Sequence, residues 1–131
     1  MTQKVQKQKK ELVAAAVTHL EIPTLQKKKE ETAKLFAAVF GWAITYDAMP
    51  NYGMTTNTQG KVSIGLPLRD EVTEPVSNLY IHVQDIDTAL LTAKKFGAKV
   101  VSEKNMISED IGFGASFKDL SGNIIGLFSP E

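Results

Sequence analysis

Two short segments of the chain place ionisable and polar side chains at alternate positions. His19 and Glu21 alternate with apolar residues in the first segment, and Asn78, Tyr80 and His82 do so in the second. Because successive side chains of a strand point to opposite faces, each set shares one face of a predicted strand. Histidine titrates near neutral pH and can exchange protons with a carboxylate, so the candidate catalytic residues are His19, Glu21 and His82. A solvated sheet face explains the same pattern without any function.

A ligand pocket can be built from these polar residues together with aromatic side chains elsewhere in the chain. Aromatic walls with a few polar groups suit a flat or amphipathic small molecule. Taken alone, each aromatic residue is more simply explained by ordinary core packing. The predicted ligand-binding residues are His19, Glu21, Trp42, Tyr46, Asn78, Tyr80, His82, Phe113 and Phe128.

The chain contains an internal repeat with a period of about 60 residues. Phe40-Gly41 is echoed by Phe96-Gly97, and Ile64-Gly65-Leu66 is echoed by Ile125-Gly126-Leu127. Two such units fill most of the 131 residues. We therefore expect a polar tail over residues 1–13 and one domain over 14–131, composed of the halves 14–67 and 76–130.

Each half is predicted to contain a strand, a helix and three further strands, which is an α+β arrangement. The first half has predicted strands at 13–22, 42–46, 54–58 and 61–66, with a hairpin turn at Gln59-Gly60 and a helix at 27–40 capped by Thr24. The second half has predicted strands at 78–83, 99–103, 113–117 and 124–128, a helix capped by Asp85, and a loop at 105–112. Residues 67–75 are predicted to form a connecting loop, with a pocket lid or a swap hinge as alternatives. Two such halves would form two sheets around a common cavity.

Composition excludes several classes of function. The 15 basic and 15 acidic residues cancel, which removes the electrostatic footprint of a nucleic-acid-binding protein. The absence of cysteine excludes a thiolate nucleophile, a disulfide and a cysteine-ligated zinc. No apolar run approaches the roughly 20 residues of a membrane span. We expect a cytoplasmic protein with neither nucleic-acid nor membrane partners, whose lysine-rich tail is solvated or, alternatively, contacts an anionic partner.

Three segments of the chain resemble the vicinal oxygen chelate superfamily, which includes glyoxalase I, bleomycin-resistance proteins, fosfomycin-resistance proteins and extradiol dioxygenases. They are residues 18–23, which resemble its opening strand, 83–90, which resemble its second helix entry, and 112–127, which resemble its closing hairpin. The resemblance extends over residues 17–130. It implies two βαβββ modules that pair into a U-shaped cavity, commonly in a homodimer.

The resemblance also implies where a metal ion would bind. Metal enzymes of the superfamily use four inward-facing side chains on equivalent strands, and these positions fall on His19, Gly65, Asn78 and Gly126. Because glycine has no side chain and a catalytic metal needs about three protein ligands, we expect neither a metal nor another cofactor. A register shift of one or two residues would instead combine His19, Glu21 and His82 into a two-histidine, one-carboxylate set.

Three functions are compatible with this pattern. The first is a metal-free, glyoxalase- or bleomycin-resistance-like protein that binds a small organic molecule between its two modules. The alternative is a metal-dependent lyase, isomerase or dioxygenase, in which the ion polarises a pair of substrate oxygens. The third is metal-free acid–base catalysis by a Glu21–His82 or a His19–Glu21 pair.

Overall fold

The computed structural model describes residues 11–56, 58 and 62–131, which form two sheets and two α-helices. The elements of the first half are β1 (His19–Glu21), β2 (Thr24–Leu25), α1 (Lys29–Phe40), β3 (Thr45–Met49), β4 (Tyr52–Thr55) and β5 (Ser63–Arg69). Those of the second half are β6 (Leu79–His82), α2 (Ile86–Lys95), β7 (Lys99–Ser108), β8 (Gly112–Lys118) and β9 (Ile124–Ser129). No helix in this part of the chain is long and apolar enough to cross a membrane.

The two sheets have the same strand order, which confirms the predicted pair of βαβββ modules. The first sheet runs β1-β5-β4-β3 and the second runs β6-β9-β8-β7. In each, the opening strand pairs in parallel with the last strand, and the other pairs on this path are antiparallel. Glu21 lies opposite Gly65, and Tyr80 lies opposite Gly126. The two glycines therefore occupy equivalent positions in the two modules.

One continuous hydrophobic core joins the modules. Leu35 and Phe36 of α1 are fully buried in it, as is Phe117 of the second sheet. The ring of Phe40, at the end of α1, stacks on that of Phe117 with 6.1 Å between centroids. A helix of the first half thus packs against a strand of the second, so the repeat units share a core and form one domain.

The turn between β8 and β9 is hydrogen-bonded to the first module at Pro23 and Leu25, and to the start of the second half at Val76. The side-chain amide of Asn123 donates to the carbonyl of Pro23 at 2.8 Å, and its oxygen accepts the Val76 N–H at 2.9 Å. The Leu25 N–H donates to Ser121 Oγ at 2.8 Å. This turn holds the segment between β1 and α1 in place.

The opening strand is much shorter than predicted. Residues 11–18 form no strand and are exposed, and the ladder begins near Ser63, whose N–H donates to the Thr18 carbonyl. Within the described residues, the pairing of β1 starts at His19, which lies opposite Ser63. The prediction that Thr24 caps α1 is also wrong, because Thr24 lies in β2 and donates to the Ile22 carbonyl. A 3-10 turn, Gln26–Lys28, leads into α1 instead.

Other boundaries differ for identifiable reasons. The predicted strand at 42–46 begins at Thr45 and runs to Met49, and Trp42 lies before it in the hydrophobic core. The predicted loop at 67–75 is wrong over its first three residues, since β5 continues through Pro67 opposite Tyr52. The predicted loop at 105–112 is wrong over its first half. There β7 continues through register shifts that break the two-residue alternation on which the prediction relied.

The helix ends agree with the sequence. Gly41 ends α1 with a left-handed φ of +72°, a conformation that glycine adopts readily. Asp85 caps α2 by accepting the Thr88 N–H at 3.0 Å. The turn predicted at Gln59-Gly60, and the first ten residues of the predicted tail, lie outside the described residues.

Candidate functional site

Four polar side chains form a continuous line of hydrogen bonds on the solvent-facing side of the first sheet. His19 Nδ1 lies 2.6 Å from Ser63 Oγ, and His19 Nε2 lies 2.7 Å from the Tyr52 hydroxyl. The Tyr52 hydroxyl donates to Glu21 Oε2 at 2.7 Å. We call this line Ser63–His19–Tyr52–Glu21 the relay. The predicted His19–Glu21 pair is therefore joined through Tyr52.

The partners in the relay determine which atoms carry protons. An ionised carboxylate only accepts, so the Tyr52 hydroxyl donates to Glu21 and its oxygen accepts a proton from His19 Nε2. Neutral His19 then has a bare Nδ1, which can accept the Ser63 hydroxyl proton across 2.6 Å in place of the Thr18 carbonyl oxygen, which lies 3.3 Å from the same hydroxyl. Burial, then the hydrogen bond to Glu21 and its negative charge, raise the pKa of Tyr52 to about 12. The phenol is thus a neutral donor at physiological pH.

The absence of a side chain at residue 65 makes room for the relay. A Cβ at Gly65 would lie 2.0 Å from the Tyr52 hydroxyl and 2.8 Å from His19 Nε2. At the equivalent Gly126, a Cβ would lie 2.6 Å from a ring carbon of Tyr80. In both modules a tyrosine ring fills the space that a side chain at the glycine would need.

The donor atoms near these positions do not fit a catalytic metal ion. Of the four implied positions, two are glycines and one is Asn78, and both ring nitrogens of His19 are already hydrogen-bonded. Over residues 11–56, 58 and 62–131, no three His, Cys, Asp or Glu side chains form a group that could hold a metal. The register-shifted set of His19, Glu21 and His82 is therefore not assembled. A site of about three protein ligands cannot be built from these atoms.

A cavity of about 690 Å³ opens between the two modules. Leu20, Trp42 and Ile64 line it from the first module, and Tyr80, His82 and Gln84 from the second. Side chains from both faces of β6 reach this cavity, because β6 lies at the edge of its sheet. Leu20 lies between His19 and Glu21 in β1, so the cavity and the relay lie on opposite faces of that strand.

Comparison with known proteins identifies the architecture. No family model and no curated protein matches the sequence. The structure matches TnmS3, an antibiotic binding protein from Streptomyces sp. CB03234, with a TM-score of 0.68, 20% identity and coverage of 92% of this chain and 100% of that one. It also matches a glyoxalase/bleomycin resistance protein/dioxygenase family enzyme from Burkholderia phytofirmans PsJN, with a TM-score of 0.70, 16% identity and coverage of 89% and 100%. The chain has the glyoxalase/bleomycin resistance fold.

A third match within this fold contains a metal. It is a mutant of the fosfomycin resistance protein FosX from Listeria monocytogenes, complexed with Mn(II) and 1S,2S-dihydroxypropylphosphonic acid. Its TM-score is 0.69 at 13% identity, with coverage of 88% of this chain and 90% of that one. Proteins with the glyoxalase/bleomycin resistance fold thus include an antibiotic binding protein and a protein complexed with manganese. The activity therefore depends on the residues of each site and not on the fold alone.

Only some of the predicted site residues meet within the glyoxalase/bleomycin resistance fold. Trp42, Tyr80 and His82 line the cavity, whereas His19 and Glu21 belong to the relay. The two polar strand faces are therefore not combined in one cavity of this chain. Alternation along β1 placed His19 and Glu21 on the side that faces away from the cavity.

The remaining predicted residues have other surroundings. Tyr46 donates its hydroxyl to the Lys29 carbonyl, and burial, then the charge of Glu30, raise its pKa to about 12. The ammonium nitrogen of Lys104 lies over the Phe113 ring, 4.7 Å from the ring centroid. Tyr46 thus secures the start of α1, and Phe113 packs within the second sheet.

Asn78 is exposed immediately before β6, so its polar side chain faces solvent. The centroid of the Phe128 ring lies 5.8 Å from that of His82, and Phe128 does not line the cavity. Sequence reasoning missed Tyr52 and Ser63, because neither belongs to an alternating polar strand. A usable signal was the glycine at residue 65, whose missing side chain indicates that another group approaches closely.

The tautomer of His19 tests the relay. We expect neutral His19 to carry its proton on Nε2 and to lose that preference in Tyr52→Phe, which removes the accepting oxygen. Long-range ¹H–¹⁵N spectra resolve both histidines of the chain, and His82 serves as the internal control because it is absent from the relay. A wild-type spectrum in which His19 carries its proton on Nδ1 would contradict the relay geometry.

Proposed function

We propose that this protein binds a small organic molecule, without a metal ion, in the cavity between its modules. The observation that carries the proposal is the cavity itself, whose 690 Å³ falls within the range of about 300–1,000 Å³ typical of ligand sites. Its walls are largely apolar, with an aromatic side in Trp42 and polar groups in His82 and Gln84. Such a lining binds through buried apolar area and orients its ligand through few hydrogen bonds.

The relay supports the metal-free part of the proposal. Tyr52 fills the space beside Gly65, and His19 uses both nitrogens within the protein. A metal ion would have to displace the Tyr52 hydroxyl and would then find one histidine and one carboxylate. Among neighbours of the same fold, this arrangement favours the behaviour of an antibiotic binding protein such as TnmS3 over that of the manganese complex of FosX.

We further propose that the protein is a homodimer. Tyr80 is 67% exposed, and the relay residues His19 and Glu21 also face solvent. A second copy packed against these faces would cover the Tyr80 side chain and the relay residues and remove both from solvent. Side-by-side and domain-swapped pairings both satisfy this requirement.

Native mass spectrometry of the untagged protein, with its denatured mass as reference, tests these proposals together. We expect a dimer that carries no divalent ion and that either is empty or retains a small organic molecule. One tightly held divalent ion per subunit would overturn the metal-free proposal. A monomer at micromolar concentration would overturn the dimer but leave ligand binding intact.

The relay favours a second candidate function, which is metal-free proton transfer. The Tyr52 hydroxyl donates to Glu21, an exposed carboxylate that can accept a proton from a ligand on the open sheet face. The test is exchange of the α-hydrogens of dihydroxyacetone in deuterated water, followed by ¹H NMR. We expect Glu21→Gln to remove any exchange above the buffer rate, with Glu31→Gln on the exposed side of α1 as the matched control. Equal rates for the wild type and Glu21→Gln would exclude this function.

A further inference from the structure

One end of the relay is a serine hydroxyl, whose nucleophilic chemistry the proposed functions do not use. Ser63 Oγ lies 2.6 Å from His19 Nδ1, and the two residues lie opposite each other in the register of β1 and β5. A nucleophile beside a base that a third group orients is the general signature of covalent catalysis. We propose that Ser63 is a nucleophile activated by His19, and that the relay transfers the acyl groups of small aryl esters to water.

His19 has the geometry of a general base for Ser63. Its Nδ1 lies within the range of about 2.6–3.2 Å from which a base can abstract a proton. The tautomer is favourable as well, because the Tyr52 oxygen accepts the Nε2 proton at 2.7 Å and leaves Nδ1 bare. The Thr18 carbonyl competes for the serine proton at 3.3 Å, which is the longer of the two contacts. The shorter contact therefore directs the hydroxyl proton to the histidine.

The other members of the relay stabilise the charge that this proton transfer creates. Once His19 has taken the serine proton, its ring is a cation whose Nε2–H still donates to the Tyr52 oxygen. The Tyr52 hydroxyl donates in turn to Glu21 Oε2 at 2.7 Å. A carboxylate supports the histidine of a Ser-His-Asp triad in a similar manner, without the intervening tyrosine. Because Glu21 is exposed, water screens its charge, and we expect a weaker effect than a buried carboxylate provides.

The surroundings of Ser63 restrict the substrate to esters with a good leaving group. In acyl-transfer enzymes, preorganised N–H groups stabilise the oxyanion that forms after nucleophilic attack. The N–H of Ser63 itself is not free for this role, because it donates to the Thr18 carbonyl at 2.9 Å. An aryl ester depends less on such donors, since its phenolate leaves readily. We therefore expect turnover of aryl esters and none of alkyl esters or amides.

The proposed reaction needs water as its only co-reactant. Ser63 Oγ attacks the carbonyl carbon of the ester while its proton moves to His19 Nδ1. The bond between that carbon and the aryl oxygen breaks, His19 gives the proton to the departing oxygen, and Ser63 is left acylated. A water molecule then attacks the acyl group and gives a proton to His19. The carboxylic acid leaves as this proton returns to Ser63 Oγ.

Reaction of the full chain with 4-nitrophenyl acetate at neutral pH tests the proposal. Absorbance of the released 4-nitrophenolate gives the rate, and mass spectrometry of the intact chain and of its peptides counts and locates the acetyl groups. We expect an acetyl group on Ser63 whose formation His19→Gln slows at least about hundredfold. Ser63→Ala should lack this group and release 4-nitrophenolate more slowly. Ser102→Ala is the matched control and should react like the wild type, because Ser102 bonds to Glu103 and Asn105 and not to a histidine.

Tyr52→Phe tests the part of the relay that acts through the histidine. Tyr52 is a positioning residue here, because it touches His19 and Glu21 but not the serine. We expect acetylation of Ser63 to be several-fold slower in this variant, together with loss of the Nε2 preference of His19 in its NMR spectrum. A slower reaction with an unchanged tautomer would contradict the positioning role.

Three results would overturn the proposal. They are acetyl groups on lysines with none on Ser63, acetylation of Ser63 no faster than that of Ser102 in the wild type, and a wild-type rate of Ser63 acetylation in His19→Gln. The first two are measured on the wild-type chain and do not depend on the folding of a variant. None of the three bears on ligand binding in the cavity, because the relay and the cavity lie on opposite faces of β1.

Discussion

Replacing Asn123 by alanine is expected to lower the free energy of unfolding by about 2–4 kcal/mol. Asn123 is fully buried, and its side chain bonds to the Pro23 carbonyl, the Val76 N–H and Asp119 Oδ2. Alanine would leave all three of these groups without their partner. Each buried polar group that loses its hydrogen bond costs about 1–3 kcal/mol, and partial access of water reduces the sum.

Urea unfolding followed by circular dichroism measures this loss, and Asn105→Ala is its matched control. The Asn105 amide is exposed and bonds only to nearby groups, those of Ser102 and Glu103, so its removal should cost less than about 0.5 kcal/mol. Equal losses for Asn105→Ala and Asn123→Ala would show that the β8–β9 turn does not hold the modules together.

Asp119 offers an independent check on the same turn. Burial raises the pKa of Asp119, while hydrogen bonds from Asn123 and from backbone N–H groups of the turn oppose that rise. Asn123→Ala removes one of the bonds that stabilise the ionised carboxylate. The pKa of Asp119 should therefore rise further in the variant, which carboxyl ¹³C chemical shifts measured against pH would detect.

The second large effect is expected at the repeated glycines. Gly126→Ala should destabilise the fold by about 1–3 kcal/mol, more than Gly65→Ala does. A Cβ at Gly126 would lie 2.8 Å from the backbone carbonyl of Leu79, in the neighbouring strand, as well as against the ring of Tyr80. That carbonyl can yield only if β6 moves, and β6 carries Tyr80 and His82 of the cavity.

At Gly65 the new methyl group meets only side-chain atoms, those of Tyr52 and His19. Tyr52 can turn toward solvent, so Gly65→Ala should cost less than about 1 kcal/mol while it breaks the relay and removes the Nε2 preference of His19. Chemical denaturation and the histidine NMR spectra measure these two effects separately. A larger loss of stability for Gly65→Ala than for Gly126→Ala would refute the assigned contacts.

Local patterns predicted those parts of the structure that depend on neighbouring residues. Alternation placed His19 and Glu21 on one face of β1, and Gly41 and Asp85 correctly marked helix ends. The repeat of Ile64-Gly65-Leu66 at Ile125-Gly126-Leu127 correctly indicated two equivalent modules, because each copy forms the strand that pairs with its module's opening strand. Backbone conformation and side-chain alternation are properties of a few consecutive residues, and the sequence displays them directly.

Strand length and the membership of the site depended on partners that lie far away in the chain. Strand β1 pairs with β5 from His19 to Glu21, opposite Ser63 to Gly65, and β7 is long because β8 continues to pair with it. Trp42, Tyr80 and His82 meet in one cavity only because residues of both modules line it.

By itself the sequence determined the duplicated βαβββ architecture, the polar face of β1 and the equivalent places of the two glycines in the modules. Only the tertiary structure decided that Tyr52 joins His19 to Glu21 and that this relay faces away from the cavity. The physical reason is the separation along the chain between the residues that interact. A hydrogen bond between residues 33 positions apart, such as His19 and Tyr52, depends on sheet register, and the glycine at residue 65 indicates free space without indicating which side chain fills it.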